Sequence, residues 1–434
     1  MRRIACLLLC CGFSVPALAQ PQQEPPKPAV LDDGPLPAGA KLRLGSTLFR
    51  TDGNNRFSTL TPDGKQIVQF AQPDQLRYLS VETGRVIRTV KLKEQIQAGY
   101  GMTFSPTGER LVLTAYNTAT VVNPATGEVT GKLVPRNNNN QPFARRLESL
   151  SDGQVSISGD GKRIAFGTRY PQQEGQTFGH VYDFDKNDFI AEVKVLQTQY
   201  IQSVLSSDGK RLATFGQYYV RNNEENVAPI VQIWDVETKK ELAKFKTGSA
   251  QVAAARFSPD GKTVYTGGQG GPVEAWDVTT GRRLHQYITR SNVGQRIFVS
   301  DDGKRLAASA NDGSGAVQVW EADTGKRLGV GFAPSNSVDA VALPKDGPAI
   351  AFGLYHNTLQ IWTVPGKLLT PQDGHFGPVG HIHYTADGKE ILTGGQDGRI
   401  VRWDAATGEE LESFGYANPS LASRVTPRAI PAMA

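Results

Sequence analysis

Cysteine is scarce in this chain of 434 residues: there are three, Cys6, Cys10 and Cys11, all near the start. If that leader is removed no thiol remains, which excludes disulfide stapling, thiol catalysis and cysteine-ligated zinc or iron-sulfur centres. Long apolar runs are missing too. None approaches the roughly 20 residues an apolar helix needs to cross a bilayer, so no membrane span is expected. Nor is charge of one sign concentrated anywhere, since 47 basic residues stand against 42 acidic ones for a net charge of +5. A protein organised around a polyanion would be more lopsided, and nucleic-acid binding is not expected.

Glycine and proline are plentiful by contrast, at 46 and 26 residues. Together they make up roughly one residue in six, against an average nearer one in eight. Turns should be frequent and long helices few.

The two ends read differently from the middle. Arg2 and Arg3 precede an apolar stretch at 4–9 that continues more weakly to 15, and Ala17-Leu18-Ala19 supplies small residues where a signal peptidase reads them. Residues 1–19 are expected to be a signal peptide cleaved after Ala19, making the protein periplasmic or extracellular. Lipid attachment competes with this, but the cysteines lack its flanking residues, except in part Cys6, which sits too early. Residues 20–40, rich in Pro and Gln, read as an extended linker, and 416–434 as a disordered tail.

Between them a polar turn recurs eight times, centred on Gly64, Gly108, Gly161, Gly209, Gly261, Gly303, Gly347 and Gly388, at spacings of 44, 53, 48, 52, 42, 44 and 41 residues. Asp-Gly between alternating apolar runs is a hairpin signal, because glycine accepts the positive φ such turns require. A second turn follows each, at Thr83-Gly84, Thr126-Gly127, Thr280-Gly281, Thr324-Gly325 and Thr407-Gly408, with weaker forms at Asn187-Asp188, Thr238-Lys239 and Pro365-Gly366. All five tryptophans, Trp234, Trp276, Trp320, Trp362 and Trp403, occupy one position in the strand before this second turn. Self-similarity at this period is the signature of a repeat fold.

Those residues, with the dipeptides Trp234-Asp235, Trp276-Asp277 and Trp403-Asp404, resemble the WD-repeat family of β-propellers over residues 41–415. With its leader, the chain is similar to exported bacterial WD-repeat domain proteins. The resemblance implies an all-β fold, a single propeller of four-stranded blades. Eight blades are expected, with a seven-bladed ring and one irregular repeat outside it as the alternative. The last repeat matches best, with His375, Thr393, Asp397 and Trp403 at the positions that form a stiffening hydrogen-bonded network in the family. Other repeats depart from it: Leu79, Val122 and Tyr182 stand in place of Trp, and Gly270 and His356 in place of the turn Asp. Either Lys41-Leu42-Arg43-Leu44 or Glu410 to Phe414 could supply the outer strand of the last blade.

Long insertions fall at 135–153, 169–179 and 217–229, all expected on the ring face opposite the short turns. They would form one raised sector carrying Arg136, Phe143, Arg145, Arg146, Arg169, Tyr170, Phe178, Tyr218, Tyr219 and Arg221. Arg and Tyr are enriched at interface hot spots, and loops on a rigid scaffold commonly carry binding. Tolerated, inert surface insertions are the competing reading.

Catalytic constellations are missing. His381-Ile382-His383 places two imidazoles on one face of a strand but offers no third ligand, and Gly267-Gly268-Gln269-Gly270-Gly271 lies on a strand-to-strand turn rather than before a helix. The expectation is a non-catalytic scaffold for protein partners, monomeric, without metal or cofactor. The alternative is a propeller enzyme or ligand binder using the channel mouth, such as a quinone-dependent dehydrogenase. Those proteins share Asp-x-x-Thr-Gly turns like Asp277 to Gly281, but their repeated Trp follows that turn, whereas here it precedes it.

Overall fold

The computed structural model describes residues 38, 40, 49, 58–71, 73–96, 101–115, 118–133, 156–170, 176–195, 200–217, 230–249, 251–269, 271–289, 293–310, 316–332, 338, 340–345, 347–355, 358–364, 367–368, 374–375 and 379–415. They contain strands and turns and no helix. Eight four-stranded antiparallel sheets follow one another along the chain, the number expected of an eight-bladed propeller. We number them 1 to 8: 58–91, 101–133, 156–195, 200–246, 251–287, 293–332, 340–368 and 379–415. In every sheet the strands are hydrogen-bonded in sequence order, so each is a simple meander closed by local turns.

Turn chemistry explains the meander. All eight glycines of the first turn have positive φ, from 67° at Gly209 to 95° at Gly347, a region that costs a residue with a Cβ about 1–2 kcal/mol. In sheet 5 the Ser258 hydroxyl donates to Asp260 Oδ1 at 2.6 Å and accepts the Thr263 N–H at 3.0 Å, while the Lys262 N–H donates to Asp260 Oδ1 at 3.1 Å. Thr61, Ser158, Ser206, Ser300 and Thr385 donate in the same way to Asp63, Asp160, Asp208, Asp302 and Asp387. The second turn is held by the Asp that follows Trp: Asp277 Oδ1 accepts the Thr280 N–H at 2.7 Å and its hydroxyl at 2.8 Å. Two of the weaker forms take the same backbone without glycine, with φ of 53° at Asn187 and 60° at Lys239, and Pro365-Gly366 lies outside the described residues.

Register fixes the tryptophan position. Trp234, Trp276, Trp320, Trp362 and Trp403 lie opposite Leu212, Val264, Leu306, Ala351 and Ile391 of the second strand. Leu79, Val122 and Tyr182 hold the equivalent place in sheets 1 to 3, opposite Ile67, Leu111 and Ile164. A β-bulge immediately before this residue shifts its pairing with the outer strand in all these sheets except sheet 7.

The core lies between neighbouring sheets. Sheets 4 and 5 share Phe215, Val231, Phe245, Val252 and Trp276, with Phe245 stacked on Trp276 at 4.4 Å between ring centroids. Sheets 5 and 6 share Tyr265, Tyr287, Leu306 and Trp320. Sheets 6 and 7 share Ala307, Val319, Val341, Ala351 and Trp362. Arginines add a polar latch at the first turns: Nη1 of Arg163, Arg211 and Arg305 donates to the carbonyl of the next sheet's turn glycine, Gly209, Gly261 and Gly347, at 3.0, 2.5 and 2.8 Å.

The turn glycines also report the order of the sheets. A Cβ built on Gly108, Gly209 or Gly303 would meet Pro62, Arg163 or Pro259 of the preceding sheet. On Gly64 of sheet 1 it would lie 3.0 Å from Ala342 Cβ and 3.6 Å from Pro344 Cγ of sheet 7. Sheets 1 to 7 therefore meet in a circuit, with sheet 1 against sheet 7. The eight four-stranded sheets match the eight blades expected from sequence. Sheet 8 takes Glu410–Gly415 as its outer strand, which settles the competition for that slot, and residues 41–44 lie outside the described residues. Its apolar cluster, Ile391, Val401 and Trp403 with Ala405 against them, consists of its own residues.

Candidate functional site

The last repeat brings four side chains from separate positions to one buried point. The segment leading into sheet 8 contributes His375, its second strand Thr393, the following turn Asp397 and its third strand Trp403; the four are between 2% and 6% exposed. His375 Nδ1 is 3.1 Å from Asp397 Oδ1, His375 Nε2 is 2.7 Å from Thr393 Oγ1, and Trp403 Nε1 donates to Thr393 Oγ1 at 2.7 Å. An indole nitrogen can only donate, so the Thr393 oxygen accepts from Trp403, and its own proton has two acceptors in reach, His375 Nε2 at 2.7 Å and the Val401 carbonyl at 3.4 Å. The Asp397 carboxylate can only accept, which puts an imidazole proton on Nδ1. The arrangement holds the entry segment, two strands and a turn in one geometry and presents no reactive atom to solvent.

The network extends to residues that sequence reasoning did not single out. Arg399, 7% exposed, donates to the Gly374 carbonyl and, at 2.7 Å, to Ser413 Oγ, and it lies 3.5 Å from Glu410 Oε1. Glu410 Oε2 in turn accepts the Gly374 N–H at 2.6 Å. Sheet 5 uses the same device with another residue: Glu274, fully buried, accepts the Gly248 N–H at 2.8 Å and Arg283 Nη1 at 2.9 Å. In sequence such residues look like ordinary alternating charges, because nothing local tells that a strand Glu faces a linking glycine.

The other tryptophans divide by what stands two residues beyond their second-strand partner. Thr214 and Thr266 there accept the indole N–H of Trp234 and Trp276, each at 2.9 Å. In sheet 7 the residue is Gly353, and Trp362 Nε1 is buried with no partner among the described residues. Sheet 6 has Ala308 in that place. Trp320 is 1% exposed and packs 5.7 Å from the Tyr287 ring between centroids.

Most of the candidate partner-binding sector lies outside the described residues: Arg136, Phe143, Arg145, Arg146, Tyr218, Tyr219 and Arg221. Arg169 and Tyr170 do not lie in a loop. They end the strand Arg163–Tyr170 and pair with Thr177 and Gln176 of the strand Gln176–Asp183, so the connection shrinks from 169–179 to 171–175. Phe178 sits in the second of these strands beside His180, their ring centroids 6.3 Å apart. His180 is 4% exposed and stacked on Phe166 at 5.4 Å. Burial pulls its pKa down to about 4. His381 and His383 lie on the exposed inner strand of sheet 8, and no group of three metal-ligating side chains forms among the described residues.

Comparison with known proteins bears on sheet 8 most directly. Residues 366–404 match the family model described as WD domain, G-beta repeat. Sheet 8 is built on a WD repeat. The F-box-like/WD repeat-containing protein TBL1X of Mus musculus is 35% identical over 72 residues, 17% of this chain and 14% of that protein. Telomerase protein component 1 of Rattus norvegicus is 26% identical over 201 residues, 46% of this chain and 8% of that protein. The chain thus matches only a small part of the length of these relatives. The crystal structure of the computationally designed Ika8 protein superposes with a TM-score of 0.48 at 17% identity, covering 82% of this chain and 98% of that one. The WD-domain match and the WD-repeat relative support a place for the chain among WD-repeat proteins.

Proposed function

We propose that the protein is a non-catalytic scaffold that captures protein partners in an extracytoplasmic compartment, delivered there by the leader at 1–19. The surface for this is the sector formed by 135–153, the hairpin 163–183 and 217–229. The observation that carries the reading is the hairpin itself. Its two strands run for eight residues each and remain paired out to Tyr170 and Gln176, where the equivalent strands of sheet 5 have seven and five. Arg169 and Tyr170 are therefore carried on paired backbone, which lowers the ordering entropy a partner must overcome.

Partner capture from the exported fraction tests the reading, with intact protein compared against a variant in which Arg169 and Tyr170 are replaced by Ala. Loss of the captured protein with the fold retained is the expected outcome; unchanged capture overturns it. N-terminal sequencing of exported material should begin at Gln20, and an intact leader would refute the location. A chromophore in the purified protein would overturn the non-catalytic part.

A further inference from the structure

In sheets 2, 5 and 6 the glycine of the second turn lies under the end of the outer strand of the sheet before. A Cβ built on Gly127 of sheet 2 would run into Lys91 and Leu92 of sheet 1. On Gly281 of sheet 5 it would lie 3.6 Å from Phe245 Cδ1 of sheet 4, and on Gly325 of sheet 6 it would lie 3.9 Å from Tyr287 Cδ1 of sheet 5. Neighbouring sheets are tied together in this way. Sheet 1 comes first in the chain, and in space it stands against sheet 7 through Gly64 and Ala342. Its second-turn glycine, Gly84, is covered all the same. The nearest atoms belong to the ring of Phe49, which a Cβ on Gly84 would overlap. Phe49 is fully buried, and its N–H donates to the Gly84 carbonyl at 3.3 Å, just as the Lys93 N–H donates to the Gly127 carbonyl at 3.0 Å. Both donors lie 15 residues ahead of their first-turn glycines, Gly64 and Gly108. Phe49 thus holds the place that the end of a preceding outer strand fills elsewhere.

What carries the ring differs between these places. Phe245 and Tyr287 sit on strands, paired with Val231 and Val273. Phe49 has a φ of 57°, in the left-handed region where a bulky side chain is an outlier. Burial of the ring favours the seat while the backbone opposes it, and the two effects are of similar size. A residue strained in this way persists because its surroundings hold it there. We propose that Phe49 is a releasable wedge that completes the joint between sheets 7 and 1. Seated, it does for this joint what an outer strand does for the others; withdrawn, it uncovers the turn at Gly84 and loosens sheet 1 against sheet 7. This goes beyond the scaffold reading and does not depend on it.

Native-state hydrogen exchange of the full chain tests this. The Val81 and Val278 N–H groups make the same bond in sheets 1 and 5, to the Lys65 carbonyl at 3.0 Å and the Lys262 carbonyl at 2.9 Å. The Gly84 and Gly281 N–H groups close the two second turns at 2.8 and 2.9 Å. Val81 and Gly84 should nevertheless exchange faster than Val278 and Gly281 by about tenfold or more, through release of the wedge. Equal protection overturns the proposal. F49A, with circular dichroism retained, should accelerate Val81 and Gly84 by about tenfold again and accelerate Ala340–Ala342 of sheet 7 with them, leaving sheets 4 and 5 unchanged. F49L keeps an apolar side chain and should give a smaller increase at the same amides; it carries the comparison if F49A does not fold. G84A should also expose those amides, because its Cβ enters the ring, whereas G388A, at a φ of 68° with open space around it, should not. Acceleration spread over all sheets refutes the wedge. Acceleration confined to sheet 1 makes Phe49 a cap of that sheet alone and refutes the joint.

Discussion

Replacing Thr393 by Val isolates the hydroxyl at the centre of the sheet 8 network. The two side chains are nearly isosteric and both β-branched, so no cavity opens and χ1 is kept. What is lost is one acceptor for Trp403 Nε1, at 2.7 Å, and one donor to His375 Nε2, also at 2.7 Å. Each group is left buried, at a cost of about 1–3 kcal/mol, so the variant should lose about 2–6 kcal/mol. Thr266→Val in sheet 5 is the matched control: it strips the acceptor from Trp276 at 2.9 Å and touches no histidine. It should lose only the single-group cost, about 1–3 kcal/mol. Native-state hydrogen exchange locates the loss. In T393V it should be concentrated in amides of 390–404, since the apolar cluster of sheet 8 is its own, while those of sheets 4 and 5 keep their protection. A loss below about 1 kcal/mol, or one spread equally over sheets 4 and 5, would refute the tautomer and the network as assigned.

Lys239 has a φ of 60° where glycine stands in related turns. K239G should relieve about 1–2 kcal/mol of left-handed strain and return about 0.5–1 as lost chain entropy, giving a net stabilisation visible as a higher thermal midpoint. A lower midpoint would contradict the strain. His180 has its pKa lowered to about 4 by burial; Glu192 lies 3.4 Å away but is 57% exposed and does not offset that. Between the ordinary value near 6.5 and about 4 the unfolded chain binds the proton and the folded one does not. Stability is therefore present above pH 6.5 and is lost as pH falls to about 4, by about 3 kcal/mol in all. H180F should flatten that slope in urea titrations at stepped pH, and an unchanged slope would exclude His180 as its source. Asp260 and Asp302 are held below the ordinary carboxyl range first by the hydroxyls of Ser258 and Ser300. Their contribution is present above the unfolded value and lost as pH falls through the folded one, so S258A with S300A should raise the acid-unfolding midpoint. A midpoint that stays put or falls would count against it.

The parts legible in the sequence are those set by local rules. A positive φ favours glycine, so the turns at Gly64 through Gly388 could be placed by inspection. Even the weaker turn at Thr238-Lys239 has the same backbone. Asn187 carries the positive φ in the Asn187-Asp188 turn. One error of emphasis came from composition. Residues 169–179 looked like a loop because Pro, Gln and Gly crowd 171–175, yet Thr168, Tyr170, Thr177 and Phe178 are strand formers and extend the hairpin through most of the segment. Arg163, Arg211 and Arg305 carry no local sign of their role, yet each reaches a carbonyl of the following sheet. Neither the latches nor the contact of sheet 1 with sheet 7 leaves a local trace, because both join residues far apart in the chain.

The placement of the full network in sheet 8, rather than in sheets 1 to 7, has a physical logic. In sheets 4 and 5 the indole N–H needs only Thr214 or Thr266, because apolar side chains from the neighbouring sheet cover both strands. Sheet 7 tolerates a Trp362 N–H without a partner among the described residues under the same kind of cover. Sheet 8 buries three apolar residues of its own and must be held by something other than area. His375, Asp397 and Thr393 fix the entry, the turn and two strands, and Arg399 with Glu410 ties the entry to the outer strand. Polar groups in such a cluster are favourable only when satisfied together, which makes removal of any one costly. Apolar truncations should therefore injure sheets 4 to 7 most, and loss of single hydrogen bonds should injure sheet 8 most.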